Sequence, residues 1–322
     1  MSQMIRAAFI SALGQDPVIR DVPPPVARPD QVLLRIGAAA LNFADLLKAK
    51  GQYQEPADPP FVPGLEGAGT VLSAPAGSGL VAGTRVVVSA PGTMSQVMAV
   101  DPGAVQAIPD AMTLEQAAGF QVAYGTSHLA LAGRGALQAG QTLVVLGAAG
   151  GVGLTAVQIG AAMGAQVIGI ARGADKVEVV RQAGASDVID SATCPDLRAA
   201  LRDLGGADVV YDPVGAEPGE AAFRALRPGG RFLVIGFAGG RPPLLPLNHA
   251  LVKNIAIHGF YWGGYRGLDP QALRDSIDAL FDLFRAGRLD PVAGATLPLD
   301  DLAQGYVMLR ERRSVGKVVI TL

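Results

Sequence analysis

One stretch limits the folds open to this chain more than any other: Gly147-Ala148-Ala149-Gly150-Gly151-Val152-Gly153. It follows an apolar run, Thr142–Leu146, that reads as a buried strand, and it opens a helical pattern from Gly151 to Met163. Strand, glycine turn and helix in that order form a dinucleotide fingerprint. The reason is steric and electrostatic. A side chain at Gly150 or Gly151 would hold the backbone away from a pyrophosphate, and Gly153 lets the helix pack close to the strand. The free N–H groups of Gly151, Val152 and Gly153 then face the phosphates. A glycine-rich turn that only packs a helix on a sheet is the plainer alternative.

The pattern around this turn extends it into a fold. Further strand signals fall at Gln166–Ala171, Asp187–Ile189, Asp208–Tyr211, Arg231–Ile235 and Ile255–Gly259. Helical signals fall between them at Asp175–Ala183 and Pro195–Leu204, the second opened by proline in its first turn. Such alternation predicts a doubly wound parallel α/β sheet. The first third differs. Ile5–Ile10, Gln31–Ala39, Gly67–Leu72 and Arg85–Ala90 are short β-branched runs cut by Pro and Gly, with one short helix at Asn42–Lys50. That predicts a small barrel-like β domain. A helical pattern at Glu115–Leu131 joins the two regions. An amphipathic helix at Pro270–Ala286 and a strand at Gly316–Leu322 return to the first domain. The expected division is 1–120 with 265–322, and 121–264 for nucleotide binding. At about 150 residues per domain, 322 residues suit two.

Composition closes off other classes. Half of the residues are hydrophobic and 17% are charged, so disorder is excluded. Twenty-six basic against 28 acidic residues argue against a nucleic-acid partner. The lone Cys194 excludes an internal disulfide and any zinc site with two thiolates. The uncharged run from Gly135 to Ala171 is broken by glycines where turns belong, so no membrane span is expected. A cytoplasmic location follows by default. The histidines at 128, 249 and 258 lack ligand spacing and read as structural.

The end of the second strand sets cofactor choice. A site for NAD carries an acid there for the ribose 2′-hydroxyl. Here the segment is Ile170-Ala171-Arg172-Gly173-Ala174-Asp175-Lys176. Arg172 takes the acidic place, and Lys176 lies one helical turn on. A guanidinium suits a 2′-phosphate, so NADPH is the expected cofactor; two solvated surface cations are the alternative. Asp175 reads as a helix N-cap. Phe237, Phe260, Tyr261 and Trp262 follow predicted strands, where doubly wound sheets bind ligands, or else serve in packing.

Together with Asn42-Phe43-Ala44-Asp45, Val62-Pro63-Gly64-Leu65-Glu66-Gly67-Ala68-Gly69 and Tyr211-Asp212-Pro213-Val214-Gly215, the glycine turn resembles the medium-chain dehydrogenase/reductase superfamily. Within it the chain is similar to the zinc-free quinone oxidoreductase branch that includes zeta-crystallin. The resemblance implies a GroES-like catalytic domain, a central Rossmann domain, NADPH as hydride donor, and a homodimer. It also implies that Asn42, Tyr53 and Thr126 lie near the nicotinamide. Tyr53 would shelve the ring or hydrogen-bond a substrate carbonyl, with packing under Pro59-Pro60 as the alternative. Where zinc-dependent relatives carry Cys and His ligands, this chain has Asn42 and Leu65; only Glu66 remains. No metal is therefore expected, and reduction of a quinone or enone is favoured over alcohol oxidation. An enoyl or alkenal reductase, or an NADPH-binding protein with a structural or RNA-binding role, are the rival readings. Two places depart from the family pattern: Leu47 replaces a second tyrosine, and Ser191 stands where a residue often helps hold the 2′-phosphate.

Overall fold

The computed structural model describes residues 4–322. The chain forms two compact units: one runs to Val122 and resumes at Pro291–Leu322, the other is Ala123–Asp290. The return to the first unit thus comes at Pro291, later than the 265 expected from sequence. The helix Pro270–Arg285 explains the difference. Its buried stripe of Leu273, Ile277, Leu280 and Phe281 packs inside the second unit. Ile277 closes on Gly125, and His128 Nδ1 meets Ser276 Oγ at 2.8 Å. Amphipathic spacing shows that one face is covered, but not by what.

In the first unit the strands order as Ala293–Pro298, Lys317–Thr321, Val32–Leu41, Glu66–Ser73, Arg85–Val88 and Val105–Ala107, with Val97–Val100 also pairing on Val32–Leu41. The GroES-like β expectation is met. Val32–Leu41 alternates buried and more open positions as far as Gly37, with Arg35 exposed, and is buried on both faces from Ala38 to Leu41. The final strand pairs antiparallel with it, Val318 opposite Leu41 and Thr321 opposite Ala38. Glu66 lies opposite Ala40 on the other side. Three neighbouring strand ends therefore bring Asn42, Glu66 and Lys317 together. The core beneath holds Leu34, Ile36, Leu41, Val86, Met94, Tyr306 and Ile320.

The second unit is a six-stranded parallel sheet. Its order is Asp187–Asp190, Gln166–Ala171, Thr142–Val145, Ala207–Asp212, Leu226–Val234, Ala256–Gly259. The chain order reverses beside Thr142–Val145, which places a ligand crevice at the carboxyl ends there. The helix Gly151–Ala162 is buried along most of its length. It lies so close to the sheet that a Cβ on Gly160 would come within 2.5 Å of Leu143.

Several local expectations change. The helical pattern predicted at Glu115–Leu131 is three pieces: Leu114–Ala118, Gln121–His128 and a π-helical turn at Leu129–Arg134. Thr113 caps the first piece by accepting from Gln116 N, and Gly119 ends it. The helix predicted at Pro195–Leu204 opens at Leu197 with Asp196 as its cap, not at Pro195. Gly173, at φ +92°, occupies the cap position assigned to Asp175, which sits in the first turn instead. Glycine alone adopts that backbone without strain. Among the described residues no helix is long and apolar enough to cross a membrane.

Candidate active site

The glycine turn has the stereochemistry that its sequence requires. Gly147 has φ +57°. A Cβ on Gly153 would fall 2.1 Å from Gly147 O and 3.0 Å from Ala148 Cα, so only glycine lets the helix approach. The helix is capped by Gly150 with no side-chain hydrogen bond. The first-turn N–H groups of Gly151, Val152 and Gly153 have no intrahelical acceptor, and the dipole makes that end positive. A diphosphate fits this cradle.

Beneath the turn lies a hydroxyl network that the sequence reading missed. Ser127 Oγ is 2.9 Å from Val152 O, 2.8 Å from Thr155 Oγ1 and 2.9 Å from Tyr211 OH. Thr155 Oγ1 donates to Ala123 O or Val152 O, at 3.1 and 3.0 Å. All three side chains are buried, and burial raises the Tyr211 phenol above its ordinary range. The network ties Val152, inside the glycine turn, to the helix that carries Thr126. Next to Tyr211, Asp212 Oδ1 accepts from Val214 N at 2.8 Å and Gly215 N at 2.7 Å. Val214 in turn packs on Gly147. Burial pushes the Asp212 carboxyl up to about 6.

At the neighbouring strand end Arg172 is exposed and Lys176 half-buried, where desolvation lowers its ammonium. Ser191 N donates to Ala171 O at 2.8 Å, which brings the Ser191 backbone to the same place. Asp190, also missed, accepts from Gly173 N and Ala192 N at 2.9 and 2.8 Å. These bonds, then Arg172, hold its carboxyl below the usual range. Its charge is thus partly occupied by backbone.

A cavity of about 350 Å³ opens at the ends of the Leu226–Val234 and Ala256–Gly259 strands, and Phe237, Phe260 and Tyr261 line it. Trp262 turns the other way. It is 7% exposed and packs on Gly125, beside the buried Thr126, with no partner for its Nε1.

In the first unit, Asn42 precedes the helix Phe43–Ala49. Its Nδ2 donates to Glu66 Oε1 at 2.9 Å, and its Oδ1 accepts from Lys317 Nζ at 2.7 Å. Lys317 Nζ also donates to Glu66 Oε1 at 2.8 Å, while Glu66 Oε2 accepts from Val122 N at 2.8 Å. Glu66 is fully buried and Lys317 nearly so. Asp45 Oδ2 accepts from Asn42 N at 2.7 Å, and burial raises the Asp45 carboxyl to about 6. Asn42 is thus fixed from three sides, with one amide hydrogen left over. Tyr53 lies half-buried in the loop after the helix. Lys317 had no signal in sequence, because 251 and 275 residues separate it from its partners.

A β unit of this kind and a doubly wound unit with a glycine cradle define a two-unit, dinucleotide-dependent oxidoreductase. Known proteins agree. Residues 28–127 match the alcohol dehydrogenase GroES-like domain, and residues 151–282 match the zinc-binding dehydrogenase family. The chain is 35% identical over 322 residues to quinone oxidoreductase-like protein 2 homolog of Nematostella vectensis, covering 98% of this chain and 88% of that protein. Quinone oxidoreductase from Thermus thermophilus, solved also with NADPH, superposes with a TM-score of 0.87 at 31% identity, covering 98% and 100%. The Escherichia coli quinone oxidoreductase complexed with NADPH gives 0.90 at 26%, with the same coverage. The chain belongs to the medium-chain dehydrogenase/reductase superfamily, among the quinone oxidoreductase-like proteins.

The zinc in one family description does not suit the donors present. Leu65 offers no ligand atom, and both oxygens of Glu66 are engaged, one by an ammonium. Among the described residues no three His, Cys, Asp or Glu side chains are grouped for a metal ion.

Proposed function

We propose that this protein is a zinc-independent, NADPH-dependent oxidoreductase that delivers hydride to a quinone or related conjugated carbonyl acceptor. The observation that carries this reading is the Asn42–Glu66–Lys317 cluster, whose carboxylate is already neutralised by a buried ammonium. An acceptor that spreads charge by conjugation needs no Lewis acid.

NADPH, when bound, supplies the hydride. The first-turn N–H groups of Gly151, Val152 and Gly153 hold its diphosphate, and Arg172 with Lys176 meets the 2′-phosphate. Asn42 is kept in one orientation by Lys317, Glu66 and Asp45, so its free amide hydrogen points one way. Tyr53 and Thr126 flank the nicotinamide in this reading, and Phe237, Phe260 and Tyr261 give an apolar wall that excludes water. The oxyanion left on the acceptor is met by solvent or by the Tyr53 phenol.

Turnover of NADPH with paired quinone and enone acceptors tests the reaction. Quinone reduction that survives chelation is expected. Activity lost on chelation and restored by zinc overturns metal independence, and turnover of enones alone moves the chain to the enoyl reductases. Arg172→Ala should weaken NADPH more than NADH by about 1.5–3 kcal/mol, as for a hydrogen bond to a charged group. Equal losses for both cofactors would remove Arg172 from the site.

The same reading includes a homodimer through the edge strand Ala256–Gly259. Ile257 is 39% exposed there, and Leu247, Leu251 and Val252 on the preceding helix are each at least 69% exposed. An open apolar edge of this kind invites pairing with a second copy. Light scattering at micromolar concentration should give twice the chain mass, and a monomer mass would refute it.

A further inference from the structure

Five basic side chains converge in the second unit without an acid to balance them. They come from three helices: Arg198 and Arg202 from Leu197–Asp203, Arg224 from Ala216–Arg224, His249 and Lys253 from Leu247–Lys253. Arg198, Arg202, Arg224 and Lys253 all act on His249, and Arg198 and Arg202 act on Lys253. Among the described residues none of the five makes an ion pair. Lys253 Nζ donates only to Arg224 O and Leu226 O, at 3.1 and 2.6 Å. Asp196 is engaged as a helix cap through Ala199 N.

Helix dipoles account for part of this. Arg202, Arg224 and Lys253 lie in the last turns of their helices, where cations complement free carbonyls. Arg198 and His249 do not. Arg198 instead adds a like charge one turn before Arg202, an i,i+4 pair that opposes helix formation, and the uncharged His249 ring stands one turn before Lys253. Arg198 Nε and His249 Nδ1 are moreover shielded from solvent with no hydrogen-bond partner. Shielded polar atoms of this sort are costly unless an acceptor or ion meets them.

We propose that Arg198, Arg202, Arg224, His249 and Lys253 form a second anion site, which takes a small, soluble, multivalent phosphate. Three guanidinium forks offer planar pairs of N–H donors, which match phosphate oxygens and not a spherical halide. The charge count favours a di- or polyphosphate over a single carboxylate. Helices in a parallel sheet end opposite the carboxyl ends of the strands, so this site is at the far end of the sheet from the glycine turn.

His249 is a local reporter. Burial first, then the four cations, depresses its ring below the ordinary histidine range; a bound phosphate reverses the second cause. The chain has three histidines, so the His249 ring signals can be assigned with His249→Gln. In protein saturated with NADPH, which fills the glycine cradle, inorganic diphosphate should raise the His249 titration midpoint by about one unit, the scale of a nearby opposite charge. Arg198→Gln with Arg202→Gln should weaken diphosphate at least about tenfold while the NADPH affinity is unchanged. The reporter is remote from the glycine turn, so a failure of NADPH binding leaves this test intact. The proposal is overturned if millimolar diphosphate leaves His249 unmoved, if chloride at equal ionic strength moves it as far, or if the double variant binds like the parent. Binding to phosphatidylglycerol vesicles without binding of free diphosphate would equally overturn it, by assigning the site to a lipid headgroup.

Discussion

The buried cluster around Asn42 in the first unit is built on two ions, Glu66 and Lys317, and the one beneath the glycine turn in the second is built on hydroxyls. Lys317 and Glu66 meet by opposite charge, and both hydrogen-bond the neutral amide of Asn42. Ser127, Thr155 and Tyr211 fix the turn by neutral hydrogen bonds, each donor matched to an acceptor. The two devices differ in how they fail. Removing one ion strands the other out of water, whereas removing the Tyr211 hydroxyl costs a single neutral bond. Rigid placement can thus be had at high or low risk, and the chain uses the charged form at the residue proposed to meet the nicotinamide.

The sharpest way to break the contrast is Lys317→Met. Glu66 would stay buried without its cation, and the loss should be about 3–5 kcal/mol in denaturant unfolding. The double variant Lys317→Met with Glu66→Gln should recover a large part of it. A loss below about 1 kcal/mol would show that the pair is no more than a surface-type bridge.

Asp45 gives an intermediate effect with a pH signature. Its folded value of about 6 lies above the ordinary carboxyl value of 3.8. The folded state therefore holds the extra proton between these values, and Asp45 costs stability progressively as pH rises through them, with the full cost above about 6. Asp45→Asn keeps an acceptor for Asn42 N and removes the titration. The melting temperature of the variant minus that of the parent should grow from pH 4 to pH 7; a flat or falling difference would contradict the burial argument.

The smallest effect is expected for Tyr211→Phe, about 0.5–1.5 kcal/mol of stability, as for one neutral hydrogen bond. A loss as large as that of Lys317→Met would erase the distinction between the two networks.

What could be seen in the sequence tracks how local each device is. The glycine turn was legible because strand, turn and helix are contiguous, and Gly153 meets Gly147 only six residues away. The position of Arg172 at the end of the second strand, and of Lys176 in the helix after it, was legible by offset from that turn. Tyr211 and Asp212 were seen as a motif, but not as the hydroxyl and carboxyl that anchor it, since Ser127 lies 84 residues from Tyr211. The six strands followed from alternation alone. Lys317 stayed hidden because a lysine at the start of a strand carries no sign that it will be buried. The role of Asn42 changed with it, from a side chain open to ligand to one held by two ions. The cluster of four cations around His249 was equally hidden, since it needs three helices to assemble.

The position of the last strand has a consequence for synthesis. Lys317–Thr321 does not lie at a margin of its sheet but between Ala293–Pro298 and Val32–Leu41. During translation, residues 123–290 can emerge and fold as a continuous segment while the amino-terminal unit still lacks this strand. Until Lys317–Thr321 leaves the ribosome, Glu66 has no cation and Leu41 no neighbour on that side. The amino-terminal unit, begun first, is therefore completed after the second, and in a nascent chain halted before Lys317 the Glu66 carboxylate lacks the ammonium that meets it in the finished fold.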